Sequence, residues 1–204
     1  MLGSYGAGAF DKSAAEIVAF HADSRRILTV NALSGKIDVL DASDAATPTK
    51  VGEASGGENT TINSVAVRRD GLAVATVEPE NKTDNCELIF FDASADELGA
   101  VLGRVAVGAL PDMVTITPDD AYALVANEGE PAEDYSYDPE GSVSVVKLPT
   151  DVAAAPQDDV QNLEPEYIAV SGGKAYINRE SLHQHSVLPS PLLTTSLVIK
   201  ERQL

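Results

Sequence analysis

The amino-acid sequence predicts an all-β protein of the β-propeller type, and this prediction depends on three observations. First, segments that open with a polar residue and continue with alternating apolar residues recur roughly every 50 residues, the spacing of propeller blades. Second, the apolar residues alternate with period two in short runs rich in Val, Ile, Tyr and Phe, which is typical of half-buried strands. Third, glycine (15) and proline (11) are abundant, while aromatic residues make up only 5% of the chain, as expected for many strands joined by turns.

The predicted strands follow the same order in each repeat unit. An opening strand is followed by a turn and a second strand, and the first three units continue with a third strand. Turn-forming pairs such as Ser34 with Gly35 and Asp70 with Gly71 separate the runs. A weaker fourth strand is predicted in the first two units. The units open at residues 16, 63, 112 and 166, and the later strands are predicted at 26–31, 36–43, 49–54, 71–77, 87–94, 98–107, 121–127, 142–149 and 174–178.

These repeats divide the chain into about three blades and the start of a fourth. A β-sandwich is the alternative, but a sandwich does not repeat a four-part pattern in register. If the propeller interpretation holds, Ile17, Val65, Val114 and Ile168 should occupy equivalent positions in the innermost strands. The partial propeller is predicted at residues 1–180, with blades near 16–62, 63–111, 112–165 and 166–180, and residues 181–204 are predicted to be an irregular tail that abandons the repeat.

The charge of the chain excludes some partners. With 14 basic and 32 acidic side chains, the formal net charge is −18. Nucleic acid is an unfavourable partner because phosphate binding requires a basic face, whereas a protein partner and a cationic or small-molecule ligand remain open. The start of the chain lacks the basic and apolar regions of a signal peptide, and no apolar run approaches the roughly 20 residues of a membrane span. The single cysteine, Cys86, cannot form an intrachain disulfide.

A long acidic segment, residues 127–141, separates two strands that a tight turn joins in the first unit. Hard cations such as Ca²⁺ take several oxygen ligands from carboxylates, carbonyls and water. The segment therefore predicts a Ca²⁺ site, with Glu130, Asp134, Asp138 and Glu140 as ligands, although its spacing is not that of an EF-hand. A solvated acidic loop without a metal ion is the alternative.

The opening residues of the four units form a second group. Radial symmetry brings equivalent residues of successive blades together at one mouth of a propeller channel. We therefore expect an arc of polar side chains that binds a cation or the amine of a ligand. The alternative function of such residues is to cap backbone groups at strand ends, and the two functions can coexist. The arc consists of Glu16, Asn63, Asp112 and Glu166.

Catalytic and modification motifs give little support for an enzyme. The sequence contains no Gly-x-Ser-x-Gly elbow, no phosphate-binding Walker loop and no His-Glu-x-x-His. Neighbouring carboxylates raise the pKa of a thiol, so Cys86 is a poor nucleophile. No catalytic residue is therefore predicted. Asn59 and Asn81 begin Asn-x-Thr sequons in polar loops and are candidate glycosylation sites.

Several segments resemble the choice-of-anchor I domain family, most specifically the run Leu124 to Pro131 with the sequence Leu-Val-Ala-Asn-Glu-Gly-Glu-Pro. The resemblance covers about residues 3 to 178. It implies a seven-bladed YVTN-type propeller in a secreted or surface-anchored protein, and we therefore expect this chain to be a fragment. The sequence favours a non-enzymatic binding or interaction platform. The alternative is the front of a metal-dependent, alkaline-phosphatase-like phosphoesterase, because some family members carry that label.

Overall fold

A computed structural model describes residues 1–8, 11, 14–150 and 152, and beyond them the backbone of four more strands. The described residues contain fifteen strands and no helix, in agreement with the predicted all-β class. They form four separate sheets. The first sheet comprises β1 (Val18–His21), β2 (Arg26–Asn31), β3 (Lys36–Asp41) and β4 (Thr49–Ala54). The second comprises β5 (Thr60–Val67), β6 (Leu72–Pro79), β7 (Cys86–Asp92) and β8 (Val101–Val107). The third comprises β9 (Pro111–Ile116), β10 (Tyr122–Asn127), β11 (Ser142–Lys147) and β12 (Val160–Leu163).

The first three sheets are antiparallel, and the strands within each lie in chain order. The first strand of each sheet contacts the first strand of the next, so β1, β5, β9 and β13 (Tyr167–Ser171, the first strand of the fourth sheet) are successive neighbours. This arrangement is typical of consecutive propeller blades, whose innermost strands adjoin.

The fourth sheet differs from the others in topology. It consists of β13 (Tyr167–Ser171), β14 (Lys174–Arg179) and β15 (Ser196–Glu201), and β15 pairs with β14 in parallel. The tail 181–204, predicted to be irregular, therefore contributes a strand. Val198 and Ile199 within β15 are β-branched, which favours extended backbone.

The pairing register confirms the repeat and corrects it at one position. Val65 pairs with Ala75 in the second sheet, and Val114 pairs with Val125 in the third. In the first sheet the corresponding residue is Val18, which pairs with Thr29, and not Ile17. Ile17 precedes β1, and its carbonyl accepts a hydrogen bond from the Val30 amide.

The core lies between the sheets. One apolar cluster joins the first and second sheets and includes Leu28, Val39 and Phe91, all fully buried. A second cluster joins the second and third sheets around Phe90 and Val125. The side chains of successive residues in a strand point to opposite faces of its sheet, so the adjacent residues Phe90 and Phe91 belong to different clusters. The second sheet is therefore buried on both faces.

Candidate functional site

An open cavity of about 480 Å³ lies at the end of the sheets where β1, β5 and β9 begin and where β6 and β10 end. We call it the mouth. Its wall is predominantly acidic, with five carboxylates and one lysine, and only two apolar residues contribute to it. The lining residues are Glu16, Ile17, Asn63, Glu78, Lys82, Leu110, Asp112, Glu128 and Glu130.

Local irregularities in the first strands place three of these side chains. Asn63 is the extra residue of a β-bulge in β5, because Ile62 pairs with Val77 and Ser64 pairs with Thr76. A bulge re-aims a side chain relative to the regular alternation of a strand.

Asp112 is in the corresponding position of the third sheet, since Pro111 pairs with Asn127 and Met113 pairs with Ala126. In the first sheet, the amide of Glu16 donates to the carbonyl of Val30, the residue that Ile17 also contacts. In the first three repeats, the polar residue that opens the repeat is thus at an irregularity in strand pairing.

Two more carboxylates come from the second strands. Glu78 and Glu128 directly follow Val77 and Asn127, which occupy equivalent positions in β6 and β10. The amide of Glu128 donates to the carbonyl of Leu110 at 2.8 Å, which fixes this backbone beside the start of β9. Sequence reasoning missed both glutamates, although the same repeat alignment that identified the opening residues contains them.

The carboxylates at the mouth are poorly compensated. Asn63 Nδ2 donates to Glu78 Oε2 at 2.7 Å, and the side chains of Asp112 and Glu128 share a hydrogen bond. Asp112 keeps contact with solvent, but partial burial, this hydrogen bond and the charges of Glu128, Glu78 and Glu130 raise its pKa to about 7. Two carboxyl groups can share a hydrogen bond only if one is protonated. With a pKa of about 7, Asp112 is partly protonated close to neutral pH.

The structure brings three of the four predicted arc residues together. Glu16, Asn63 and Asp112 line the mouth, while Glu166 lies outside the described residues. Whether these side chains bind a ligand stays a prediction.

The side chains predicted as Ca²⁺ ligands in the acidic segment, residues 127–141, have different surroundings. Glu130 lines the mouth, whereas Asp134 Oδ1 accepts hydrogen bonds from the amide and hydroxyl of Ser136, at 3.0 and 2.6 Å. These bonds lower the pKa of Asp134. Asp138 and Glu140 are exposed. In the part of the chain that the structure describes, no three His, Cys, Asp or Glu side chains are placed to hold a metal ion, and the Ca²⁺ site stays a prediction.

The remaining sequence-predicted positions are at the surface or in the core. Asn59 and Asn81 are exposed, and Asn81 Nδ2 donates to Asp84 Oδ1 at 2.9 Å; their glycosylation stays a prediction. Cys86 is buried, and burial, together with nearby carboxylates, raises its pKa to about 11. A thiol with such a pKa is almost entirely protonated at neutral pH and is a poor nucleophile.

Successive sheets with adjoining first strands and an acidic cavity at one end define a β-propeller-type repeat protein. Residues 16–160 match the choice-of-anchor I domain family. Because this match spans more than half of the sequence, the chain belongs to that family. The family is typical of surface-anchored proteins. None of the curated proteins matches the sequence. No helix among the described residues has the length and apolar character needed to cross a membrane.

Three solved structures are similar to this chain, and the first of them agrees with the fold. Hydrazine synthase from Kuenenia stuttgartiensis aligns with a TM-score of 0.51 and 17% identity over 76% of this chain and 39% of that chain. A protein of unknown function from Bacteroides caccae aligns with a TM-score of 0.40 and 7% identity over 78% and 68%. A eukaryotic initiation factor aligns with a TM-score of 0.44 and 13% identity over 76% and 34%. The chain spans well under half of the hydrazine synthase chain, and this likeness concerns the fold alone.

Proposed function

We propose that this domain is a non-enzymatic binding module of a secreted or surface-anchored protein, and that its mouth holds a cationic group of a small molecule or of a partner protein. The observation that carries this proposal is the convergence of five carboxylates on one cavity that contains a single lysine, Lys82. Carboxylates that line the same cavity repel one another, and a bound cation relieves that repulsion.

The size of the mouth favours an organic cation. A cavity of about 480 Å³ is within the range of small-molecule sites and is far larger than one metal ion requires. The carboxylates are spread over three sheets, so an amine or guanidinium with several N–H donors can contact more of them than a compact ion can. A lysine or arginine side chain presented by another protein has the same chemistry.

The alternative, a phosphoesterase, receives less support from this end of the molecule. Catalysis on a phosphate ester needs positive charge around the phosphate oxygens. The mouth offers Lys82 against five carboxylates, and such a surface repels phosphate esters. The alternative predicts that p-nitrophenyl phosphate is hydrolysed in the presence of Ca²⁺ or Mg²⁺, whereas we expect no turnover.

Calorimetric titration with spermidine, a small organic polycation, tests the proposal. The double variant Glu78→Gln/Glu128→Gln removes two charges while preserving side-chain size, and we expect it to weaken binding at least about tenfold. The matched control, Glu58→Gln/Glu133→Gln, removes two charges from exposed residues that do not line the mouth. We expect it to change the affinity by no more than about twofold, in line with the screening of distant charges by salt.

Equal losses in the two double variants would contradict the proposal. In that case spermidine would be attracted by the overall charge of the chain and not by the mouth. Hydrolysis of p-nitrophenyl phosphate by the wild type that Glu78→Gln/Glu128→Gln abolishes would instead favour the phosphoesterase.

A further inference from the structure

A second cavity, of about 650 Å³, lies at the opposite end of the sheets, and we call it the turn-end cavity. The β1–β2, β5–β6 and β9–β10 turns and the segment after β11 form its wall. Whereas the lining of the mouth is mainly acidic, basic, acidic and apolar residues all line this cavity. Its lining includes Arg69, Lys147, Asp23, Asp120, Tyr122 and Leu148.

Buried Arg68 holds this wall together. Its guanidinium donates to both carboxylate oxygens of Asp70, at 2.8 and 2.7 Å, and so fixes its own turn. It also donates to the carbonyl of Asp120, at 3.2 Å, and to that of Pro149, at 2.8 Å. Only 7% of the Arg68 surface is exposed. One buried side chain thus joins two turns and the segment after β11, and the cavity is formed before any ligand binds.

The neighbouring Arg69 is held at the same turn but keeps its guanidinium available. Its carbonyl accepts a hydrogen bond from Nε2 of the buried His21 at 3.0 Å, which anchors the backbone. Lys147, at the end of β11, also lines the cavity, and its side chain is exposed. Among the described residues, no hydrogen bond or ion pair engages either cationic group. Arg69 and Lys147 are therefore two positive groups available to a ligand.

The acidic side chains of the cavity divide into engaged and available groups. Asp70 is occupied by Arg68, and Asp119 Oδ1 accepts hydrogen bonds from the Thr117 hydroxyl and the Ala121 amide. The carboxylates of Asp23 and Asp120 have no such contacts within the described part of the chain. The charged groups that no hydrogen bond holds are thus those of Arg69, Lys147, Asp23 and Asp120, although the charge of Asp120 also interacts with that of Arg68.

The cavity also has an apolar surface between these charges. Leu148, which is buried, and Tyr122 and Pro149, which are half-buried, contribute to its wall. Small-molecule sites commonly combine such apolar walls with a few polar groups that orient the ligand.

From this arrangement we propose that the turn-end cavity binds a small zwitterion with an apolar side chain, either a free amino acid or a short peptide with free termini. The ligand carboxylate contacts Arg69 and Lys147, because a guanidinium pairs with a carboxylate through two parallel hydrogen bonds. The ligand ammonium group contacts Asp23 and Asp120, and its apolar side chain packs on Tyr122 and Leu148. A ligand that carries charge of only one sign would pair with two of these four groups and would be repelled by the other two. This proposal is independent of the mouth.

Titration with the dipeptide Leu-Leu, followed by calorimetry on the whole chain, tests the proposal. We expect millimolar or tighter binding that weakens about tenfold when the peptide is amidated at its C-terminus. We expect a similar loss for Arg69→Gln and for Lys147→Gln. Arg25→Gln is the matched control, because Arg25 is also an exposed arginine of a β-turn but does not line the cavity.

Both test residues are exposed, so circular dichroism should show an unchanged fold in every variant. Acetylation of the peptide amine should also weaken binding. No binding of Leu-Leu at millimolar concentration, equal binding of the free and amidated peptides, or equal losses in Arg25→Gln and Arg69→Gln would overturn the proposal. None of these results bears on the binding of spermidine at the mouth.

Discussion

The mouth and the turn-end cavity lie at opposite ends of the same strands, and their carboxylates are in opposite electrostatic environments. At the turn end, the hydrogen bonds from Arg68 lower the pKa of Asp70. At the mouth, partial burial and neighbouring carboxylates raise the pKa of Asp112 to about 7. Acidic residues thus stabilise the contact between sheets at one end and generate an unrelieved negative potential at the other.

The two environments give opposite dependences of stability on pH. A lowered folded-state pKa, as for Asp70, contributes stability that is present above the ordinary carboxyl pKa of about 4 and is lost as the pH falls through the folded value. A raised pKa, as for Asp112, contributes stability that is fully present below about 4 and is lost as the pH rises through about 7. Measuring the free energy of unfolding as a function of pH can therefore distinguish the contribution of Asp70 from that of Asp112.

The largest expected effect is at the turn end. Arg68→Ala removes four hydrogen bonds and leaves the carbonyls of Asp120 and Pro149 without this partner. We expect the free energy of unfolding to fall by about 3 kcal/mol, the low end for breaking a buried ion pair, because Asp70 is partly exposed. Urea unfolding measures this change. The adjacent, exposed Arg69→Ala should change stability by less than about 0.5 kcal/mol, and similar losses in the two variants would refute the role of Arg68.

The next effect concerns cation binding at the mouth. Protonation of Asp112 removes negative charge, so the affinity for spermidine should decrease several-fold as the pH falls from 8 to 6, through its pKa of about 7. Calorimetry at a series of pH values measures this dependence. Asp112→Asn should flatten the curve, and a wild-type affinity that is constant over this range would contradict the protonation of Asp112 near neutral pH.

A smaller effect is expected on thermal stability. Asp112→Asn removes one of the crowded charges, and it should therefore raise the melting temperature at pH 8, above the pKa of about 7. The difference from the wild type should shrink towards pH 4, where Asp112 is protonated in the native protein. Calorimetric melts of Glu58→Gln provide the control for a simple change in net charge. If Glu58→Gln gives the same gain at pH 8, crowding at the mouth is not the cause.

The smallest effect is predicted for the acidic segment. We expect weak Ca²⁺ binding there, because an irregular loop loses conformational entropy when its ligands are gathered. Asp138→Asn should reduce this binding, as judged by titration with Ca²⁺ under conditions that saturate the wild type. Asp96→Asn serves as the control, because Asp96 is also exposed and lies outside the acidic segment. Identical titrations of the wild type and Asp138→Asn would remove Asp138 from the predicted ligand set.

The sequence predicted the repeat of the sheets more completely than the composition of the mouth. Alternation of apolar residues located most strands of the first three sheets, because burial on sheet faces selects for this period. The bulges at Asn63 and Asp112 left no such signal, since one extra residue hardly disturbs a short alternating run. The repeat therefore located the opening residues, and only the pairing register identified their bulged geometry and separated Val18 from Ile17.

The sequence by itself determined the all-β class, the order of strands in the first two sheets and the strongly acidic character of the chain, because these follow from local periodicity, turn chemistry and composition. Tertiary structure alone decided which acids are crowded and which are neutralised. Glu78 and Glu128 reach the mouth because β6 and β10 end beside the start of β5 and β9. Arg68, in a turn of the second sheet, donates a hydrogen bond to the carbonyl of Pro149, which follows a strand of the third sheet. Electrostatic environment depends on distances between residues remote in sequence, and the packing of the sheets fixes those distances.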